Sequence, residues 1–549
     1  MADRPRHAGV PGADMVSTSY WPGEPGGEEL LDDTVGSLLR GAARRAPDTV
    51  ALVEGVADPA ERRRWTYAEL LAEAERAARA LLGRFSPGER VAVWANNIPE
   101  WVILELASAL ADITLVTVNP ALRAAELRHV LGHSRAAGVF LLREYRGNPM
   151  ARTLADIRTD LPGLHTSVLF EDWAEFCTEG SGDRELPAAG PLSPAQIQYT
   201  SGTTGLPKGV VLHHRGITNN ARLAYVRTFG LRPGEAQLNP MPLFHTAGCV
   251  LATLAAISSL GTQVLPPHFE PGLMLELTES ERCAVMGGVP TMLLAMLEHP
   301  ALPRTDLSSL RYMLSGGASV PPELVRRVED AFGVPMCVIY AQTEASPGIT
   351  ITRLDDTPED RAHTVGRPLP LTEVKIVDAA GTVVAPGVTG ELCTRGYHVM
   401  TGYLDAPAET AAAVDTDGWL HTGDLGSMDE RGYCRIDGRL KDMIIRGGEN
   451  IYPREIEQVL AEHPAVAEVA VVGVPDPVWG ERVAAFIRLA PGRTAADKEL
   501  FDHVRAHLAP HKTPRSWVFV EAFPLTGSGK IRKNVLRKEY EAGRLQEGC

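Results

Sequence analysis

Eleven consecutive residues, Tyr199-Thr200-Ser201-Gly202-Thr203-Thr204-Gly205-Leu206-Pro207-Lys208-Gly209, combine the groups that hold an anion. Gly202 and Gly205 allow a tight turn that aims backbone N–H groups at a ligand. Thr200 leads in, Ser201, Thr203 and Thr204 add hydroxyl donors, and Lys208 adds charge. A Walker loop needs Gly-Lys followed by Ser or Thr. Lys208 follows Pro207, and the later Gly529-Lys530 runs into Ile531, so neither fits. A merely flexible polar turn would not need these residues in this order. Further compact groups of hydroxyl, carboxylate and lysine side chains follow at Ser315–Ala318, Tyr340–Glu344, Thr422–Asp424 and Pro524–Lys530. Taken singly, Tyr340 would pass for a packed aromatic and Glu344 for a solvated charge. Their co-occurrence with the loop gives them weight.

The elements that must position these groups alternate. Thr66-Tyr67-Ala68-Glu69 has the capping-box pattern and opens a helix through about Leu82. Strand-like runs at Val91–Trp94, Ile113–Val118, Val139–Leu142, Ile197–Tyr199, Gln263–Leu265, Ala284–Met286, Tyr312–Leu314 and Val338–Tyr340 are separated by helical stretches. That rhythm predicts layered α/β structure with parallel sheets. Near Thr364 short strands between Gly and Pro, such as Glu373–Val377 and Glu391–Thr394, predict a small β-barrel-like unit. Beyond it a helix at Pro453–His463, strands at Val466–Val474 and Val483–Leu489 and a helix at Ala495–Leu508 predict a compact α+β domain. The expected division is a flexible arm over 1–33, a large domain over 34–439 and a smaller mobile domain over 440–549.

Composition narrows the chemistry. A chain of 549 residues with 44% hydrophobic and 22% charged residues reads as globular and multidomain. Its formal charge of −15 argues against nucleic acid, and no run reaches a membrane span. Seven dispersed cysteines without a Cys-x-x-Cys pair, and an N-terminus without an apolar signal core, predict a reducing cytoplasm.

The loop resembles the phosphate loop of the adenylate-forming superfamily of acyl-CoA synthetases, peptide-synthetase adenylation domains and luciferases, closest to medium- and long-chain acyl-CoA synthetases. Motifs in the same order carry the resemblance along nearly the whole chain. It implies that Ser315-Gly316-Gly317-Ala318 lies along an adenine, with Gly317 and Ala318 among the nucleotide contacts. In Tyr340-Ala341-Gln342-Thr343-Glu344 it implies a Tyr stacked on adenine, Ala341 beside it, Thr343 on the α-phosphate and Glu344 on Mg²⁺. Asp424 and Arg439 become ribose contacts, Lys530 the catalytic lysine, and Lys441 the hinge of the terminal domain. The chemistry is consistent: a carboxylate attacks the ATP α-phosphorus to form an acyl-AMP, two anions meet, and the site must supply positive charge.

The acceptor implied is coenzyme A, passing Arg446, Gly447 and Gly448. Gly447 and Gly448 lack side chains that would block a pantetheine arm, although a simple turn before a helix fits the same residues. His245, within Met241–Gly248, is implied to lie near the reacting carboxylate. Small residues at Ala247, Gly248, Gly287 and Gly288 predict room for an apolar acid. Expected partners are therefore a carboxylic acid, ATP and CoA, and the resemblance leaves a homodimer open. One residue departs from the pattern: Ala341 stands where the family has Gly, so a crowded nucleotide is one expectation. Two alternatives follow, a ligase weak in adenylation that thioesterifies a preformed acyl-adenylate, and a silent binding protein. Retention of Lys530 and Glu344 weighs against the latter.

Overall fold

Thr66 shows how local chemistry sets an element. Its hydroxyl accepts from the Glu69 N–H while the Glu69 carboxylate accepts from the Thr66 N–H. The helix that follows, Tyr67–Arg84, turns Leu70, Ala74, Ala77 and Leu81 inward and packs on the helix Pro99–Leu110. The computed structural model describes residues 16–24, 27–180, 182–200, 207–227, 230–446, 449–525 and 531–545. The arm segment 1–15, Ser201–Gly205, Gly447, Gly448 and Lys530 lie outside them.

Two large sheets carry the chemistry. The first has seven strands in the order Gly402–Tyr403, Lys208–His213, Pro194–Thr200, Thr114–Val118, Arg90–Trp94, Gly138–Leu141 and Thr166–Leu169. From Pro194–Thr200 onward they are parallel. The second has nine, and its centre is the parallel run Met336–Ala341, Tyr312–Gly316, Cys283–Gly288, Ala236–Leu238, Thr262–Leu265 and Val50–Glu54. Helices on their faces enclose a large apolar core and, on the other face of the first sheet, a smaller one. In parallel sheets ligands collect outside the carboxyl ends of strands. Those ends here carry Thr200, Gly288, Gly316 and Ala341.

The small β unit is an antiparallel sheet, Tyr20–Pro22, Thr372–Val377, Gly390–Gly396, Leu420–Met428 and Cys434–Arg439. Its first strand falls inside the segment expected to be a loose arm. Trp21 explains the difference: it is buried, and a Cβ at Gly432 would sit 2.3 Å from its ring. The terminal α+β unit is a sheet buried on both faces. Along Val466–Asp476 alternate residues divide, Val471 facing the helices Pro453–Ala461 and Asp497–His507, and Val472 and Val474 facing Lys533–Glu541. Phe486, fully buried on the latter side, contributes roughly 1.5–3 kcal/mol by burial.

One polar group departs from this economy. Glu105, in the buried helix Pro99–Leu110, is 3% exposed. One of its oxygens accepts from Gln196 Nε2 at 2.6 Å, and the other has no partner. Burial holds its carboxyl well above the usual range, opposed only in part by Gln196. The native state thus keeps a proton that the unfolded chain releases above the ordinary carboxylate range, so stability falls as pH rises from there toward the native value. Glu105→Gln keeps the contact without titrating. Denaturant unfolding over roughly pH 5 to 8 should show the fall flattened by up to about 1.4 kcal/mol per pH unit. An unchanged slope would mean that Glu105 is ionised in the native state.

Candidate active site

The anion loop runs between two paired strands. Pro194–Thr200 and Lys208–His213 are antiparallel, with Thr200 opposite Lys208. Two histidines of the helix Ala124–His133 hold its flanks. His129 Nε2 lies 3.1 Å from the Pro207 carbonyl, and His133 Nδ1 lies 2.8 Å from the Tyr199 hydroxyl. The imidazoles stack at 5.4 Å. Burial and His129 keep the His133 imidazole below its ordinary value, so it stays neutral and able to serve Tyr199.

Beside the hairpin, the neighbouring strands Cys283–Gly288, Tyr312–Gly316 and Met336–Ala341 bring Gly287, Gly288, Gly317, Ala318, Tyr340, Ala341 and Thr343 onto one cavity wall. Backbone geometry requires two of these glycines in particular. Gly317 has φ +75°, and a Cβ at Gly287 would lie 2.9 Å from the Leu314 carbonyl oxygen. Ala341 shows no such need: it is absent from the positive-φ residues and pairs with Gly348 across a register shift. Its backbone is one that any residue adopts.

Asp424 is the hub. Its Oδ2 accepts from the Tyr340 hydroxyl at 2.7 Å and from Gln342 Nε2 at 2.8 Å, while Arg439 Nε lies 3.1 Å from Oδ1. The pairing of Leu420–Met428 with Cys434–Arg439 sets Asp424 directly opposite Arg439. A carboxylate offers about four acceptor positions, so this one keeps about one for a ligand hydroxyl. Burial, and then Asp424 itself, push the Tyr340 phenol upward, which keeps it a donor.

Glu344 is tied to the loop by a residue that motif reading passed over. Tyr403 donates to Glu344 Oε1 at 2.9 Å, and Lys208 Nζ stands 4.9 Å from the Tyr403 ring centroid. Lys441, on the short helix Leu440–Asp442, faces the same cavity. Desolvation first, and Arg439 next, hold its ammonium below the usual value, while Asp442, Asp424 and Glu344 oppose them. A carboxylate on the cavity wall is an oxygen ligand of the kind that Mg²⁺ takes alongside substrate phosphates and water.

His245 lines the cavity and its ring lies 4.7 Å from that of Phe244. Its loop is pinned by Asn97, which donates to the Met241 carbonyl at 3.0 Å and accepts from the Leu243 N–H at 2.9 Å. Thr117 donates to the Phe244 carbonyl at 3.0 Å. A π-helix, Ala247–Leu254, follows at once, an element that sequence patterning does not announce. Ala247 reaches the wall. Gly248 does not: a Cβ there would stand 2.3 Å from the Pro242 carbonyl oxygen, so its smallness serves chain packing instead of acyl space. Arg446 is likewise off the wall. It stacks on Trp479 at 5.2 Å and donates to the His511 carbonyl at 3.2 Å.

Comparison with known proteins matches this arrangement. The model of the AMP-binding enzyme family matches residues 39–404, and that of the AMP-binding enzyme C-terminal domain matches 455–530. YngI of Bacillus subtilis (strain 168), whose name assigns it provisionally as an acyl-CoA synthetase, is 41% identical over 93% of this chain and 98% of its own length. The mitochondrial medium-chain acyl-CoA ligase ACSF2 of Rattus norvegicus is 37% identical over 93% of this chain and 88% of its own. The crystal structure of ATP-bound MatB from Rhodopseudomonas palustris superposes with a TM-score of 0.84 at 29% identity, covering 93% and 99% of the two chains.

Proposed function

Because this chain belongs to the AMP-binding enzyme family and is an ATP-dependent acid–thiol ligase, we propose that it converts a hydrophobic, medium-chain carboxylic acid to its CoA thioester through an acyl-AMP. One observation carries the choice of acid. Besides the nucleotide groups, the cavity is lined by the apolar side chains of Leu238, Leu251, Val285, Leu314 and Val338. An alkyl chain gains by burial against these side chains, whereas a second charge placed against them would find no partner.

The residues divide the work. Tyr340 and Asp424 hold the nucleoside, and Lys208 and the loop take the phosphates. Mg²⁺ at Glu344 would neutralise phosphate charge and orient it. His245 borders the carboxylate's position, and no general base is required because the acid is already ionised at neutral pH. The ordinary backbone of Ala341 supports a full two-step enzyme over one confined to preformed adenylates. Six free cysteines among the described residues support a reducing compartment such as the cytoplasm.

Incubation with ATP, CoA and acids ranging from acetate through octanoate and palmitate to dicarboxylates and amino acids tests the reading. Octanoate-like acids should give the highest kcat/KM, with AMP and acyl-CoA released in equal amounts. Preference for a dicarboxylate, or AMP release without thioester, would overturn it.

The proposed division at 439–440 makes Lys441 the hinge. Lys441→Pro restricts backbone rotation there, so acid-dependent pyrophosphate exchange should persist while CoA transfer fails by at least about tenfold. Equal loss of both half-reactions would indicate damage to the cavity wall instead of a blocked hinge.

A further inference from the structure

At the edge of the nucleotide cavity, which His421 also lines, the small β sheet gathers three donor atoms of different kinds. Glu391 and Cys393, two residues apart on Gly390–Gly396, share one face of their strand, and His421 on the neighbouring strand pairs directly with Cys393. His421 Nδ1 lies 2.9 Å from Glu391 Oε2 and 3.4 Å from Cys393 Sγ. All three donor atoms fall within 4.8 Å of one another. We propose that Glu391, Cys393 and His421 form a binding site for a borderline-soft divalent transition metal, of which Zn²⁺ is the type.

The spacing is close to that of an assembled site. Tetrahedral zinc with ordinary bond lengths sets nitrogen and oxygen about 3.3 Å apart, and nitrogen and sulfur about 3.6 Å apart. Small adjustments would therefore admit the ion. Both outer ligands are also oriented as ligands commonly are. The other nitrogen of His421, Nε2, faces Asp415 Oδ2 at 3.6 Å, and the other oxygen of Glu391, Oε1, accepts from the Gly423 N–H at 3.0 Å. The ammonium of Lys375, opposite Cys393 in register, is drawn aside, with Nζ 4.2 Å from the Trp419 ring centroid. Cys393 is buried, but the side chains of His421 and Glu391 retain 32% and 21% exposure, which leaves a fourth position open to water. Thiolate and imidazole with a single carboxylate disfavour Mg²⁺ and Ca²⁺. Glu344, a carboxylate with no thiolate or imidazole bonded to it among the described residues, keeps the opposite preference.

Cobalt reports the ligand set directly, because a thiolate bound to Co²⁺ gives a near-ultraviolet charge-transfer band that oxygen and nitrogen ligands do not. The full chain carrying Cys549→Ser, stripped with chelator and titrated with Co²⁺, should develop that band at one equivalent and lose it when Zn²⁺ is added. In the same background Cys393→Ser should abolish the band, and His421→Ala should weaken Zn²⁺ binding at least tenfold in competition with a chromophoric chelator. Asp415→Asn should weaken it about 10- to 100-fold while the band remains. Cys337→Ser, which removes a buried thiol elsewhere, should change neither. Thermal unfolding of each metal-free variant checks that it is folded. No charge-transfer band in the starting protein, or a band that survives in folded Cys393→Ser, would overturn the site.

Discussion

Lys530→Ala is expected to lower the adenylation rate by about 10²- to 10³-fold, the usual cost of removing one donor aimed at developing charge. Acid-dependent pyrophosphate exchange reads this step. CoA transfer from supplied acyl-AMP should stay near the wild-type rate, because the carboxylate and α-phosphate are already joined. The side chain lies outside the described residues, yet both flanks of its segment are fixed. Leu525 pairs with Ile531, the Arg532 N–H donates to the Pro524 carbonyl at 2.8 Å, and Leu525 and Ile531 line the cavity. The helix that follows is held by Lys533 on Glu457 at 2.6 Å. Two fixed flanks at the cavity edge are a suitable mount for a lysine expected to serve only one half-reaction. Exchange at the wild-type rate in a folded Lys530→Ala protein would remove the lysine from the mechanism.

Legibility followed the range of the interaction. The capping box at Thr66 and Glu69 and the strands around Val91 and Tyr312 are local patterns, and the structure contains them to within a few residues. Tyr20–Pro22 was hidden because its partners, Glu373–Lys375, lie some 350 residues away, and nothing in a Pro- and Gly-rich arm announces the pocket for Trp21. Site residues divided in the same way. Tyr340, Glu344 and Asp424 stand in compact motifs, whereas Tyr403, His129 and His133 act through single contacts across long loops. Small size was misleading at Gly248, where a carbonyl occupies the space that a side chain would fill. At Ala341 the reverse holds, since a strand residue with an ordinary backbone has room for its methyl group.

Asp424→Asn should impair both half-reactions together, which separates it from Lys530→Ala. The AMP moiety is present in each, and three donors converge on this one carboxylate. An asparagine keeps one acceptor oxygen and presents an NH₂ group to the other donors. If the oxygen stays with Tyr340 and Gln342, the amide nitrogen meets Arg439; turned over, it meets the hydroxyl and the Gln342 amide. Turned over, the half-buried hydroxyl and amide lose their acceptor at about 1–3 kcal/mol, whereas Arg439, 49% exposed, loses less; in both cases the expected ribose contact loses its charge. The KM for ATP should therefore rise about 10- to 100-fold, with a similar loss in kcat/KM for CoA transfer from acyl-AMP. Tyr340→Phe is the graded comparison. It removes one donor and leaves Asp424 with Gln342 and Arg439, so the loss should stay within about tenfold. If Asp424→Asn left the KM for ATP unchanged while lowering the melting temperature, Asp424 would be only the fastener between the strand Leu420–Met428 and Met336–Ala341. A rise in KM at unchanged melting temperature would make that same fastening the device that presents one free carboxylate position to the ribose.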